Sequence, residues 1–133
     1  MKKADILKEI LQKKKERLSL AKQQISQEDL KSRVSSLPGT VKFREAINKP
    51  RQISLIAEIK RSSPSSGVIR QDFNYIEIAK AYQECGVQAI SVLTEEDYFS
   101  GSLSCMKEVK NLTGLPVLRK DFIIDPYQIY ESR

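Results

Sequence analysis

From Ile53 onward the chain alternates short, β-branched apolar runs with amphipathic helical runs, and this rhythm constrains the fold more than any other feature. Three runs read as strands: 53–60 (ISLIAEIK), 88–94 (QAISVLT) and 116–123 (PVLRKDFI). Between them, Asp72 or Asn74 caps a helix through YIEIAKAY, residues 75–82, which Gly86 stops. A second helix, residues 103–112, ends near Gly114. Strand starts fall about 35 and then about 28 residues apart, the length of a βαβ unit with its right-handed crossover. A helix between every pair of strands predicts a parallel sheet in an α/β fold. A doubly wound sheet and a (β/α)8 TIM barrel both satisfy the pattern. A barrel takes about 250 residues, against 133 here. On that reading the chain holds three strands of the eight and is expected to be an N-terminal portion, with a third helical run barely begun after Asp125-Pro126.

The first 50 residues lack this rhythm. Asp5 reads as the cap of a first helix with Leu7, Leu11, Leu18 and Ala21 along one stripe. Ser26 with Asp29 resembles a capping box opening a second helix through about Leu37. Pro38-Gly39 is a turn, FREAI at 43–47 a short third helix, and Lys49-Pro50 a boundary. The organisation expected is a helical extension, 1–50, followed by a partial barrel, 51–133, with its first three strands and the start of its third helix.

Charge and composition exclude several functions. The net charge is +6, but residues 1–33 carry ten Lys and Arg against five Asp and Glu, so the excess sits in the leading helices. Lys13-Lys14-Lys15 reads as a solvated helix face, and no aromatics interleave with it as a single-strand binder would need. No nucleic-acid partner is therefore expected. No apolar run approaches the roughly 18 residues of a membrane span, and the N-terminus has no uninterrupted apolar core of a secretory signal, so no membrane is expected and the location reads as cytoplasmic. Cys85 and Cys105 lack metal-ligand spacing and read as small buried side chains without a disulfide. No metal site, P-loop or dinucleotide fingerprint is present, so no cofactor is expected. Histidine is absent, and proton transfer must fall to Lys, Glu, Asp, Tyr, Cys or water.

In parallel α/β folds ligands bind at the carboxyl ends of the strands. Polar residues collect there: Glu58 and Lys60 on the first run, Thr94-Glu95-Glu96 on the second, Lys120-Asp121 on the third. A single strand-end Lys or Glu is ordinarily where the chain meets water. The same pattern at three ends, two with a lysine, points instead to a shared site, since a lysine beside a second cation and partly desolvated becomes a competent acid near neutrality. Glu58 and Lys60 lie two apart, on one side of a strand that is otherwise apolar. The following SSPSSG loop offers hydroxyls and a glycine N–H to an anion, though the same composition serves any loop.

The run Ala57-Glu58-Ile59-Lys60-Arg61-Ser62-Ser63-Pro64-Ser65 resembles the signature of the indole-3-glycerol phosphate synthase family, the ring-closing enzymes of tryptophan biosynthesis. Ile90–Glu95 with Tyr98–Gly101, Pro116–Ile123 and the leader's FREAI resemble further blocks of that family in the same order and spacing. The resemblance implies a (β/α)8 barrel with an N-terminal helical extension. It implies a cofactor-free carboxy-lyase acting on a phosphorylated small molecule, 1-(2-carboxyphenylamino)-1-deoxyribulose 5-phosphate. By the same resemblance Lys120 is the general acid, Lys60 holds the substrate carboxylate and assists proton steps, and Glu58 orients the lysines. Ser63 lies against the anthranilate carboxylate, Pro64 and Ser65 belong with it to the substrate-binding loop, and Phe99 packs on the aromatic ring. The family's catalytic carboxylate on the barrel's fifth strand, its sixth-strand Asn and its main phosphate site at the seventh and eighth strands have no counterpart in these residues. The missing C-terminal half of a barrel is thus an implied partner. The alternative is a non-catalytic α/β fragment that serves only in folding or association. Strand alternation predicts that Ile56, Glu58 and Lys60 share one side while Leu55, Ala57 and Ile59 face the helices. Leu118, Lys120 and Phe122 are predicted to share the side of Glu58, and Ile56, Leu93 and Leu118 to leave an uncovered apolar inner face.

Overall fold

β-Branched residues at alternate positions with a helical run after each one give the expected parallel sheet, although its strands are shorter than the apolar runs. The computed structural model describes residues 3–133, with side chains from Asp5 onward. Strand β1 is Ile56–Ile59, β4 is Ala89–Leu93 and β5 is Val117–Lys120, in the order β1-β4-β5 and parallel throughout. Among the described residues this sheet has three strands and does not close into a barrel. Helix α4, Tyr75–Glu84, joins β1 to β4, and α5, Leu103–Thr113, joins β4 to β5. Asn74 caps α4 by accepting from the N–H groups of Ile76 and Glu77, and Ser102 caps α5 through Cys105 N–H. Gly114 ends α5 in the left-handed region at φ 64°, where a side chain would be strained.

The register settles which side chains share a face. Ala57, Ile90 and Val117 form one row, and Ile59, Val92 and Arg119 the next. These rows pack under α4 and α5: Ile59, Ala79, Ile90, Val92, Cys105 and Val109 form the core, with Ala57, Tyr82 and Val117 against it. Burying such side chains contributes about 1.5–3 kcal/mol each relative to exposure. The opposite face carries Ile56 and Leu118, both exposed. Leu93 on that face is buried, contrary to expectation, because β4 is the central strand with neighbours on both sides. The five-residue helix α3, Phe43–Ile47, forms as FREAI predicted and packs against β4.

The first run begins pairing later than expected. Ile53 is 99% exposed and Leu55 57% exposed, so Leu55 does not face the helices. Its N–H donates to the Gln88 side chain and its carbonyl accepts from Gln88 and Ala89, an entry into the strand without a pleat of its own. The third run ends at Lys120, before Phe122, whose carbonyl accepts from Gln128 Nε2. The alternation predicted for Phe122 therefore stops short of it. The serine loop contains a two-stranded antiparallel hairpin, β2 at Ser62–Ser63 and β3 at Gly67–Val68, which reads in sequence as plain loop.

The described residues fall into two compact units, 40–121 with the sheet and, separately, 3–39 with 122–133. In the second, α1 (Lys3–Gln24), α2 (Gln27–Ser35) and α6 (Pro126–Glu131) share a core of Leu18, Leu30 and Tyr127. Asp5 lies inside the first turn of α1 and does not cap it. The buried positions on α1 are Ile10, Lys14 and Leu18, while Leu7 is exposed. The stripe is thus rotated from the one read in sequence, and Lys14 is no part of a solvated face. Ser26 caps α2 by accepting from Asp29 N–H, and α2 stops at Ser35. Asp125 caps α6 in a full capping box with Gln128. Lys22 pairs with Asp125 at 2.7 Å, and this hydrogen bond holds the Asp125 carboxyl below its ordinary value. Tyr127 donates from its hydroxyl toward the carbonyls of Ala21 and Ile25. No helix among the described residues is long and apolar enough to cross a membrane.

Candidate active site

The uncovered face of the sheet carries Glu58, Lys60 and Lys120. Glu58, Ser91 and Leu118 are register partners across the three strands, and in a parallel sheet such partners project to one side. Leu93 and Lys120 form the next row. Lys60, two residues beyond Glu58, joins that face, and its Nζ stands 3.6 Å from Glu58 Oε1. Lys60 and Lys120 lie two inter-strand spacings apart, about 10 Å at Cα. Glu58, Lys60 and Lys120 therefore share a face at the carboxyl ends of parallel strands. Lys120 makes no ion pair or side-chain hydrogen bond among the described residues and is exposed.

Ser91 was not singled out by sequence, yet its hydroxyl donates to Glu58 Oε2 at 3.3 Å. The alternation Ala89-Ser91-Leu93 would have found it once the register was known. Glu58 is held from behind as well: its carbonyl, on the outer edge of β1, accepts from the Tyr82 hydroxyl at 2.9 Å. Glu58 thus sits on a fixed backbone with its carboxylate shared between a lysine and a serine.

The serine loop is more ordered than its composition suggests. Ser63 is buried, its Oγ accepting from Ser66 N–H at 3.2 Å and lying 3.3 Å from Ser65 Oγ. Gly67 closes the turn at φ 61°. Pro64 and Ser65 form the exposed tip. Ser62 donates to Ser100 Oγ at 2.9 Å, which ties this hairpin to the loop after β4.

That second loop holds Phe99, half-buried. Glu95 organises it. Read in sequence as one of the polar residues gathered at the strand ends toward a shared site, Glu95 is instead 1% exposed. Its carboxylate accepts from the backbone N–H groups of Asp97, Tyr98 and Phe99 at 3.2, 2.7 and 3.1 Å, and its carbonyl accepts from Gly101 N–H at 2.8 Å. Nothing in the spacing of Thr94-Glu95-Glu96 marks which carboxylate turns inward. Gly101 lies directly against the backbone of β4, and a Cβ there would overlap the Leu93 carbonyl. Gly101→Ala is accordingly expected to cost about 2–4 kcal/mol, measured as a shift in denaturant midpoint at unchanged slope.

Cys105 faces the core, and burial pushes its thiol up to about 11, which removes it as a nucleophile near neutrality. Cys85, expected to be buried, is exposed at the C-terminal cap of α4. No group of three or more His, Cys, Asp and Glu among the described residues is arranged to hold a metal ion. A carboxylate–lysine pair and a second lysine on one open face, at strand ends that lead into two hydroxyl-bearing loops, can bind an anion and deliver a proton.

Comparison with known proteins agrees with the motif reading. The sequence model of the family described as indole-3-glycerol phosphate synthase matches residues 7–133. A Clostridium acetobutylicum protein named indole-3-glycerol phosphate synthase is 46% identical over 129 residues, covering 96% of this chain and 49% of the relative. A protein of the same name from Aliarcobacter butzleri is 46% identical over 130 residues, with 96% and 49% covered. One from Caldanaerobacter subterraneus is 54% identical over 91 residues, covering 68% of this chain and 35% of the relative. The chain spans about half the length of the curated relatives it matches.

Proposed function

Because the chain belongs to the indole-3-glycerol phosphate synthase family, we propose that it supplies the N-terminal part of a (β/α)8 barrel that closes 1-(2-carboxyphenylamino)-1-deoxyribulose 5-phosphate to indole-3-glycerol phosphate. In this reading residues 1–50 are the helical extension and 51–133 the start of the barrel, with β1, β4 and β5 as its first three strands. The observation that carries the proposal is the shared face of Glu58, Lys60 and Lys120 at the carboxyl ends of parallel strands.

The chemistry follows from the substrate's charges. The aromatic ring carbon that bears the carboxylate attacks the ketose carbonyl carbon, and a new carbon–carbon bond forms as the carbonyl π electrons move to oxygen. Lys120 protonates that oxygen, which otherwise would carry a full negative charge. Loss of carbon dioxide returns the electron pair to the ring, and loss of the hydroxyl together with one proton of the adjacent N–CH2 carbon, as water, forms the last double bond of the indole. Lys60 holds the carboxylate until it leaves. Glu58, shared with Ser91, keeps Lys60 oriented. Ser63, with Pro64 and Ser65 at the hairpin tip, borders the carboxylate pocket, and Phe99 packs on the ring. The C-terminal half supplies the rest of the site, including the main phosphate contacts. No cofactor, nucleic acid or membrane enters this scheme.

Turnover of the synthetic substrate by residues 1–133 combined with the C-terminal half of a relative, followed by indole fluorescence, tests the proposal. A folded, combined barrel without turnover would leave the chain as a folding or association module. In the active complex, Lys60→Ala is expected to raise KM and lower kcat together, each by about tenfold, because its charge-assisted contact serves both binding and proton steps. Steady-state kinetics across a substrate series separates the two parameters.

A further inference from the structure

Both neighbours of Lys120 in sequence are charged, and alternation turns them away from its face. Arg119 falls in the row of Ile59 and Val92, where the core calls for an aliphatic side chain. Instead, its guanidinium pairs with Asp121 at 3.1 Å, with side chains 9% and 0% exposed. Thr94, the residue after β4, completes a triangle. Its hydroxyl donates to Asp121 Oδ2 at 2.8 Å and accepts from Arg119 Nε at 3.3 Å. Its backbone N–H donates to the Lys120 carbonyl at 3.0 Å. Lys120 is thus gripped at its own carbonyl and at both flanking residues, all from the central strand's end.

Stability alone does not account for this arrangement. Removing a charged pair from water costs several kcal/mol per ion, and well-packed apolar residues in its place are often neutral or stabilising. What the triangle does that an apolar trio cannot is fix direction. A threonine hydroxyl has one proton to donate, and here it is committed to Asp121 while the oxygen receives Arg119. Each partner defines the orientation of the other two. A strand end held only by apolar contacts can rotate or slip, and a misplacement of about 1 Å at a reacting group can cost on the order of a hundredfold in rate.

We propose that Thr94, Arg119 and Asp121 are positioning residues that set the direction of Lys120 from the opposite face of the sheet; this rests on the assignment of Lys120 as the general acid. The substitution that tests it is Thr94→Val, which keeps β-branching, the backbone N–H to Lys120 and the Arg119–Asp121 pair, and removes only the hydroxyl. In the complex of residues 1–133 with the C-terminal half, Thr94→Val lowers kcat about tenfold with KM within about twofold, and Thr94→Ser restores kcat. A second readout does not depend on turnover. Lysines in the same complex are reductively methylated with 13C, and the Lys120 signal is assigned by its loss in Lys120→Arg. That signal is expected to lie away from the position of a freely rotating lysine and to move toward it in Thr94→Val. An inactive wild-type complex would sink the function proposed above, while the methyl signal still decides the positioning role. A Thr94→Val protein with unchanged kcat, a loss that Thr94→Ser does not rescue, or an unmoved Lys120 signal overturns the inference.

Discussion

Replacing Lys120 with alanine in the active complex is expected to lower kcat by about a hundred- to ten-thousand-fold and leave KM nearly unchanged. The asymmetry comes from when the charge appears. In the proposed reaction the bound substrate's ketose oxygen is a neutral carbonyl and offers an ammonium group little. As the ring carbon attacks, that oxygen becomes an alkoxide, and a proton delivered from Lys120 is then worth most. Lys120 has no ion-pair partner among the described residues, so its removal strands no buried carboxylate and does not confuse chemistry with folding. Lys60 differs, since its removal leaves the Glu58 carboxylate, among the described residues, with the Ser91 hydroxyl alone, and in the proposed site ground-state binding suffers too. If Lys120→Ala keeps kcat within about twofold, the acid is another group and the proposed assignment of this face fails.

The sequence made some of this arrangement legible and hid the rest for physical reasons. Parallel order, the helices over one face and the shared side of Glu58, Lys60 and Lys120 follow from period-two alternation and βαβ spacing, which are local properties. Strand ends were read too generously at Ile53–Leu55 and Phe122–Ile123, because apolar composition reports burial potential and not pairing. The rotated face of α1 was missed because Leu7 and Leu11 fit a helical stripe as well as Ile10 and Leu18 do. Glu95 and the Thr94–Arg119–Asp121 triangle were invisible for a stronger reason. A charged residue at a strand end reads as solvent-facing unless its partners are known, and those partners are backbone N–H groups or residues 25–27 positions away. Ser91 lies between the two cases, since alternation gives its face and only the register gives its neighbour.

Residues 1–133 taken by themselves are expected to show no measurable synthase turnover and to self-associate, and addition of a relative's C-terminal half is expected to restore both turnover and a discrete complex. The sheet explains why. Its outer edges on β1 and β5 have no strand partner among the described residues, and an unpaired edge is a template for pairing with another chain. The Tyr82 hydroxyl satisfies one such carbonyl, that of Glu58, which is too little to cover an edge. Ile56 and Leu118 project from the uncovered face, 39% and 41% exposed, where further strands of a closed barrel would bury them. Recovery in trans is reasonable because each βα unit already rests on its neighbours here: α4 on β1, α5 on β4 and β5, and the two helices on each other. A second half would find these units formed and need only pair at the edges. Sedimentation, near-ultraviolet circular dichroism and the fluorescence assay, run on each half and on the mixture, decide the matter. A monomeric 133-residue chain with cooperative unfolding and full turnover would show that the open face already forms a complete site.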